Sequence, residues 1–302
     1  MTARPRRSCL YMPGANAKAL EKAKTLPADV LLLDLEDSVA PEAKETARDQ
    51  VASAVRGGGY GKREVVVRIN GVGTPWCADD LQELVTAPPD AVLVPKVETA
   101  KQIHDLGVAL DILNDGYILN DQHVTPSRGV ALWIMIETPR AIFNLPEIVA
   151  AAAESRLQVL VMGLNDLAKE TRMRPGADRT AFHWAMSQTV TAARLQGLTV
   201  IDGVFNDISD SDGFEAECRQ GLEFGFDGKT LIHPSQIELC NSVFSPTPQE
   251  VARARAVIDA FALPENAGKG VIKVDGRMTE LLHLEEAKRV VAVSEAIESL
   301  SA

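Results

Sequence analysis

Eight short apolar runs, separated by segments of helical character, constrain the fold more than any other feature of this sequence. They lack the strict polar alternation of half-exposed strands, which is typical of strands buried on both faces of a parallel sheet. Eight is also the number of strands that closes a β/α barrel. The runs are Ser8–Met12, Val30–Leu35, Glu64–Ile69, Ala91–Val94, Val130–Ile136, Gln158–Met162, Leu198–Ile201 and Phe226–Ile232.

Segments rich in Ala, Glu, Lys and Leu lie between these runs and are predicted to be helices. One of them starts at Pro41, a residue that suits the first turn of a helix, and carries Glu42 and Glu45 near its positive end. Strands that alternate with helices give a parallel sheet, and no G-x-G-x-x-G follows a strand as an open dinucleotide-binding sheet would require. We therefore predict an α/β fold, a (β/α)₈ TIM barrel. The predicted helices are 15–25, 41–56, 76–87, 100–114, 139–154, 181–196 and 212–220.

The C-terminal part of the sequence breaks this alternation. Pro246-Thr247-Pro248 interrupts the chain, and a helix over Gln249–Phe261, a short extended run at Val271–Val274 and a last helix over Leu284–Ser299 follow it. We predict a catalytic barrel over residues 1–245 and a C-terminal helical extension over 246–302. A segment this short is not expected to fold alone, so it should pack on its own barrel or on a neighbour's.

Composition and charge exclude several classes of protein. The chain has 302 residues, of which 46% are hydrophobic and 24% charged, with a net charge of −11. This charge disfavours binding to nucleic acid or to an anionic membrane surface. No run reaches the roughly 18 apolar residues that a membrane span needs. The four cysteines have no zinc-ligand or disulfide pattern, so a reducing cytoplasm is the expected compartment.

Charged residues follow nearly every predicted strand, at the end where barrel enzymes carry their active sites. Carboxylates outnumber cations there, which suits a hard divalent ion such as Mg²⁺ with oxygen ligands. Glu137 and Asp166 follow adjacent strands and can converge, while Asp34, Glu36 and Asp37 form a competing set. Spacing alone does not choose between the two sets.

Other strand-end chemistries fit the sequence less well. The five histidines lack the clustering of a zinc site, and only His233 falls at a strand end. Lys96 also follows a strand, where some barrel aldolases place a Schiff-base lysine. Its acidic surroundings should keep this lysine protonated, so an ion pair is the expected role.

Seven segments of the chain together resemble the citrate lyase β-subunit/malyl-CoA lyase family, which belongs to the HpcH/HpaI aldolase and citrate lyase superfamily. The resemblance covers nearly the whole chain in order. It implies a (β/α)₈ barrel with Mg²⁺ or substituting Mn²⁺, and a coenzyme A thioester substrate that undergoes Claisen-type cleavage or condensation with a small 2-oxo acid such as glyoxylate or pyruvate. The segments are SCLYMPGANAKALEKA, DVLLLDLEDSVAPEAKETAR, VVVRIN, VPKVE, IMIETPRAIFN, VLVMGLNDLA and FDGKTLIHPSQI.

The resemblance assigns roles to the strand-end residues. Glu137 of IMIETP and Asp166 of GLNDLA match the metal ligands. Arg68 of VVVRIN is expected over the thioester or alkoxide oxygen. Glu36 and Asp37 of DLEDSV are expected to hold metal-bound waters.

The resemblance also implies roles outside the metal ligands. Lys96 of VPKVE is expected to pair with the acidic cluster. Tyr11, Lys18 and Lys22 fall where the first βα-loop of the family meets the coenzyme A nucleotide. Family members often carry an arginine in that loop, which this sequence lacks.

The tail segment VDGRMTELLH resembles a C-terminal stretch that reaches into a neighbouring subunit's active site. Its family pattern is Met-x-Asp, with an acid/base aspartate, whereas this chain has Met278-Thr279-Glu280. The resemblance therefore implies that Glu280 acts as acid or base, one methylene further out, in a homo-oligomer such as a trimer or a dimer of trimers.

Four functions agree with these observations. The first is a stand-alone lyase for malyl-CoA or citramalyl-CoA, and the second is a β-hydroxyacyl-CoA thioesterase on the same scaffold. The third is a citrate lyase subunit that acts on an acyl-carrier partner, and the fourth is a non-catalytic binding protein. Retention of Glu137, Asp166 and Arg68 argues against the fourth.

Overall fold

Eight parallel strands follow one another in chain order around a closed barrel in the computed structural model, which describes residues 4–118 and 129–301. The barrel closes where the first strand pairs with the eighth, in the register Ser8↔Lys229 and Leu10↔Leu231. The predicted TIM barrel is thus confirmed. The strands are β1 (Ser8–Pro13), β2 (Val30–Asp34), β3 (Glu64–Arg68), β4 (Ala91–Val94), β5 (Ala131–Ile136), β6 (Leu157–Met162), β7 (Thr199–Asp202) and β8 (Gly228–Leu231).

Helices connect consecutive strands and cover the outside of the barrel. Among the described residues, no helix is both long and apolar enough to cross a lipid bilayer. The barrel helices are α1 (Ala17–Ala23), α2 (Lys44–Gly57), α3 (Cys77–Leu84), α4 (Ala100–Ile118), α5 (Pro139–Phe143), α6 (Leu145–Ala150), α7 (Leu164–Thr171), α8 (His183–Leu195), α9 (Ser211–Phe224) and α10 (Ile237–Val243).

Two predicted helices differ from those observed. The helix predicted over residues 139–154 divides at Asn144 into α5 and α6, because Pro146 has no N–H to donate to the preceding turn. Residues 41–43 form a 3₁₀ turn, and α2 begins only at Lys44. Helices α7 and α10 were not predicted.

The barrel interior is filled by apolar side chains that alternate along the strands. Leu32, Val66, Leu93 and Trp133 are fully buried members of this cluster, and Tyr11 packs on it. The interior is therefore a packed core, as in other barrels of this size. Because the interior is filled, a substrate can bind only at the loops at the ends of the barrel.

The charged residue at the end of β7, Asp202, belongs to a buried ion network that includes β8. This network explains its charge, and no role in the active site is needed. The Lys229 ammonium lies 2.9 Å from Asp202 and 2.6 Å from Glu217, and all three residues are buried. Arg179 adds a second cation, 2.9 Å from Asp202. Because the charges compensate one another, they stabilise this side of the barrel as a unit.

Residues 244–301 belong to a second compact unit with its own small apolar core of Ala254, Val257 and Ala287. Helix α11 (Pro248–Ala262) leads to strands β9 (Val271–Val274) and β10 (Arg277–Glu280) and then to helix α12 (Leu281–Ser301). Only the first of these strands was predicted.

The two strands of this unit form an antiparallel hairpin. Asp275 and Gly276 both have positive φ, 48° and 79°, as the tight turns of two-residue hairpins require. Glu280 ends β10, and its backbone N–H donates to Nδ1 of His283 at 2.9 Å.

Candidate active site

The carboxyl ends of five neighbouring strands bring a set of charged side chains together. Arg68 ends β3, Lys96 lies two residues beyond β4, and Glu137 directly follows β5. Glu36 lies in the loop after β2, and Asp166 lies in the first turn of α7 after β6. These five residues are among those that the resemblance placed at the site, and contacts among them connect the five strand ends.

Arg68 is held by a bidentate ion pair with Asp34. Its Nε and Nη2 donate to the two carboxylate oxygens of Asp34 at 2.6 and 2.7 Å, and both side chains are buried. Burial alone would raise the pKa of Asp34, but the Arg68 charge and its hydrogen bonds lower it below the usual value. Asp34 also accepts the backbone N–H groups of Glu36 and Ser38 at 2.9 and 3.1 Å. Asp34 is thus committed to positioning Arg68 and the following loop.

The remaining nitrogen of Arg68 faces the acidic cluster. Its Nη1 lies 2.9 Å from Glu36 Oε2 and 3.6 Å from Asp37 Oδ2. The Tyr11 ring lies under the guanidinium, whose carbon is 4.7 Å from the ring centroid, and Met135 Sδ is 3.8 Å from Nη1. A stacked, forked guanidinium of this kind keeps its charge and orientation when substrate arrives.

Glu137 is a buried carboxylate that lacks a full counter-charge. One oxygen, Oε1, accepts the backbone N–H of Lys96 at 2.8 Å. Burial, reinforced by the nearby Glu36 and Asp166 charges against the opposing Lys96 charge, raises the pKa of Glu137 to about 8. A Cβ at Gly163 would overlap the Glu137 side chain, so this position requires glycine. The chain therefore makes room for a buried acid whose ionised form a bound cation would favour.

The Lys96 ammonium lies among the carboxylates. Its Nζ donates to Glu36 Oε1 at 3.0 Å and lies 3.8 Å from Asp166 Oδ2. These contacts, which outweigh partial burial, raise the pKa of Lys96 well above its ordinary value. A lysine that stays protonated is a poor amine nucleophile, which argues against a Schiff base.

Glu137 and Asp166 fit a divalent metal ion by the chemistry of their oxygen donors. Within residues 4–118 and 129–301, no three or more His, Cys, Asp or Glu side chains are arranged to hold a metal. Mg²⁺ is often held by one or two carboxylates and completes its shell with water and substrate oxygens. The excess negative charge around Glu137 is what such an ion would relieve.

Four other predicted site residues of the barrel, Asp37, Lys18, Lys22 and Tyr11, have surroundings that differ from one another. Asp37 is a largely exposed carboxylate whose nearest ion-pair partner is Arg68. Lys18 and Lys22 lie exposed on α1, whereas Tyr11 lies in the barrel under Arg68. Tyr11 thus packs in the barrel while the two lysines are exposed, and the roles of all three toward coenzyme A stay predictions.

Two residues support the site in ways that were not predicted from the sequence. Asp34, predicted as a competing metal ligand, instead pairs with Arg68 in strand register. Lys44 donates to the carbonyl oxygens of Leu35 and Glu36, both at 2.7 Å, and so holds the loop after β2. Strand alignment could have revealed the first pair, whereas the contacts of Lys44 have no sequence signal.

The pH dependence of stability should report on Glu137. Its folded-state pKa of about 8 lies above the ordinary 4.5, so its contribution to stability is present below pH 4.5 and is lost as the pH rises through 8. Thermal melts in a chelator should therefore show a fall in Tm between pH 5 and pH 8 that is smaller in Glu137→Gln. Equal slopes for both proteins would contradict this assignment.

Comparisons with known proteins identify the family of the chain and agree with the barrel fold. The model of the HpcH/HpaI aldolase/citrate lyase family matches residues 7–234. A (3S)-malyl-CoA thioesterase of Cereibacter sphaeroides is 42% identical over 99% of this chain and 98% of its own length. An L-malyl-CoA/β-methylmalyl-CoA lyase of the same species is 34% identical over 98% of this chain and 96% of its own length.

A solved structure resembles the whole chain. It is that of the protein CitE from Mycobacterium tuberculosis in complex with magnesium, acetoacetate and coenzyme A. The match has a TM-score of 0.73 and 27% sequence identity, and it covers 98% of this chain and 100% of that one. The likeness thus extends beyond the barrel to the residues that follow it.

Proposed function

Because the chain belongs to the HpcH/HpaI aldolase/citrate lyase family, we propose that it is a magnesium-dependent enzyme acting on a 3-hydroxyacyl-CoA thioester of the malyl-CoA class. The observation that carries this proposal is the strand-end cluster of Glu137, Asp166 and Arg68. It combines a carboxylate pair for a divalent ion with a fixed guanidinium. Mn²⁺ is the expected substitute metal.

Hydrolysis of the thioester is the net reaction that we favour. The chain shares 42% identity with the (3S)-malyl-CoA thioesterase, against 34% with the L-malyl-CoA/β-methylmalyl-CoA lyase. In hydrolysis a water oxygen bonds to the thioester carbonyl carbon, the C–S bond breaks, and the sulfur leaves with a proton. The resemblance found in the sequence pointed first to carbon–carbon cleavage, and this reaction remains the second candidate because it requires the same cluster.

Each residue has a defined task in this proposal. Glu137 and Asp166 would hold the divalent ion, which when bound would polarise substrate oxygens as a Lewis acid. Arg68, fixed by Asp34 and stacked on Tyr11, would place a permanent positive charge beside the oxygen on which negative charge develops. The Lys96 contact with Glu36 would keep that carboxylate in place.

A product assay separates the candidates. Purified protein is incubated with (3S)-malyl-CoA, with Mg²⁺ or with a chelator, and both product pairs are quantified. Malate with free coenzyme A is the result expected from hydrolysis, whereas glyoxylate with acetyl-CoA would establish the lyase. Equal turnover in the chelator would contradict the metal, and no turnover of either kind would contradict the substrate class.

Glu280 is proposed as the acid or base supplied by a neighbouring copy in a homo-oligomer. It ends β10 in the C-terminal unit. A carboxyl group there could carry a proton to or from the substrate. Glu280→Gln should lower kcat by about a hundredfold with little change in Tm, within the range for a general acid or base. Mixing this variant with Glu137→Gln should restore partial activity if the residues act in different subunits, whereas full kcat in Glu280→Gln would exclude the role.

A further inference from the structure

Lys96 contacts three carboxylates of the site, those of Glu36, Asp166 and Glu137, through two different groups. Its ammonium lies 3.0 Å from Glu36 Oε1 and 3.8 Å from Asp166 Oδ2. Its backbone N–H donates to Glu137 Oε1 at 2.8 Å. A single residue thus bridges the strand ends of β2, β5 and β6 from its own position after β4.

The backbone of Lys96 adopts a conformation that a residue with a side chain rarely takes. Its φ is 54°, in the left-handed region, where glycine is the usual residue. Such strain persists where the surroundings impose it, and it concentrates at functional sites. Here it accompanies a backbone N–H aimed at Glu137, and the next residue, Val97, is fully buried. The presence of a lysine at a position that favours glycine indicates that the ammonium itself has a use.

The partners of the neighbouring charged groups indicate what the Lys96 ammonium does. Arg68 is already occupied by the two oxygens of Asp34 and by Glu36. Asp166 forms an ion pair with Lys96 at 3.8 Å, and the hydrogen bond that Glu137 accepts from the described part of the chain comes from the backbone N–H of Lys96 to Oε1. The ammonium therefore lies next to the carboxylates that a metal ion would use.

We propose that Lys96 is a positioning residue that acts as a built-in counter-cation, holding the metal ligands when no metal is bound and opposing divalent ions when they arrive. This inference rests on the proposed function, because it takes Glu137 and Asp166 as the metal ligands. The ammonium holds Asp166 and Glu36 while the backbone N–H fixes Glu137. When a divalent ion binds, its repulsion by the ammonium lowers affinity, so the site is formed in advance but releases its ion readily.

Two variants distinguish the effect of the Lys96 ammonium on Mg²⁺ binding from the effect of its backbone. Lys96→Met removes the charge and keeps a side chain at the strained position, while Lys96→Gly removes the charge and relieves the strain. Both retain the backbone N–H. If the ammonium opposes the metal, both should bind Mg²⁺ more tightly than the natural protein, by an amount on the order of tenfold for a unit charge this close to a dication. Lys96→Arg, which keeps a charge, should remain within about threefold of the natural affinity.

The measurement is calorimetric titration of the metal-free full-length protein with Mg²⁺, without substrate. Lys62→Met, which removes an exposed lysine before β3 at the opposite end of the barrel, is the matched control and should leave the affinity unchanged. If the ammonium only positioned the ligands, its replacement would weaken Mg²⁺ binding. Tighter binding in both variants would therefore show that repulsion of the ion by the ammonium outweighs its positioning of the ligands. Equal or weaker binding in Lys96→Met and Lys96→Gly would overturn the inference about Lys96. Absence of Mg²⁺ binding by the natural protein would instead overturn the proposed metal site.

Discussion

Replacement of Glu137 by glutamine, or of Asp166 by asparagine, is expected to abolish magnesium-dependent turnover while leaving the protein folded. Each change removes one of the two carboxylates assigned to the metal, and the neighbouring Glu36 is already engaged by Arg68 and Lys96. Loss of even an indirect metal partner commonly costs 10- to 100-fold, so loss of a direct ligand should cost at least about a hundredfold in Mg²⁺ affinity. Calorimetric titration with Mg²⁺ and kcat/KM on (3S)-malyl-CoA measure the two effects.

In the metal-free protein, replacement of Glu137 should not lower the Tm, whereas replacement of a residue that stabilises the fold would lower it. Glu137 is buried with an excess of negative charge around it, so its neutral amide should leave the Tm of the metal-free protein unchanged or higher at pH 8. Glu147→Gln, on the exposed face of α6, is the matched control and should affect neither binding nor turnover. Normal metal affinity in both site variants would show that other residues hold the ion.

The barrel and the position of its active site follow from sequence pattern because both depend on local order. Buried strands of a parallel sheet are continuously apolar, and the residue after each strand necessarily lies at the same end of the barrel. Glu137 and Lys96 could therefore be placed at one face from the sequence alone. The family resemblance then distinguished Glu137 and Asp166 from the competing carboxylates, a choice that spacing did not make.

What the sequence did not predict depends on register and on packing between distant elements. Asp34 and Arg68 end adjacent strands in direct register, and this pairing made Asp34 a partner of the arginine. The left-handed backbone of Lys96 has no signal, because lysine is not a residue that favours it. Helix α7 was not predicted, and Gly163, which precedes its first residue, makes room for Glu137 through a contact that only the fold reveals.

Arg68→Met is expected to impair both stability and catalysis, for separate reasons. It leaves the buried Asp34 carboxylate without its cation, and loss of one partner of a buried ion pair typically costs about 3–5 kcal/mol. It also removes the guanidinium that we propose to act on the reacting oxygen, and loss of such a group commonly lowers kcat by about 10²- to 10³-fold. Denaturant unfolding measures the first effect, and steady-state kinetics at saturating Mg²⁺ measures the second.

A double variant distinguishes the two effects. Asp34→Asn removes the charge that Arg68→Met leaves unpaired, so the double variant should recover part of the lost free energy of unfolding. Asparagine can still accept the backbone N–H of Glu36 through its single oxygen, although it cannot accept that of Ser38 as well, so recovery should be incomplete. The kcat should not recover, because no positive charge has returned to the site. Recovery of stability without recovery of kcat would assign Arg68 to the reaction, whereas parallel recovery of both would mean that Arg68 acts only by maintaining the fold around Asp34.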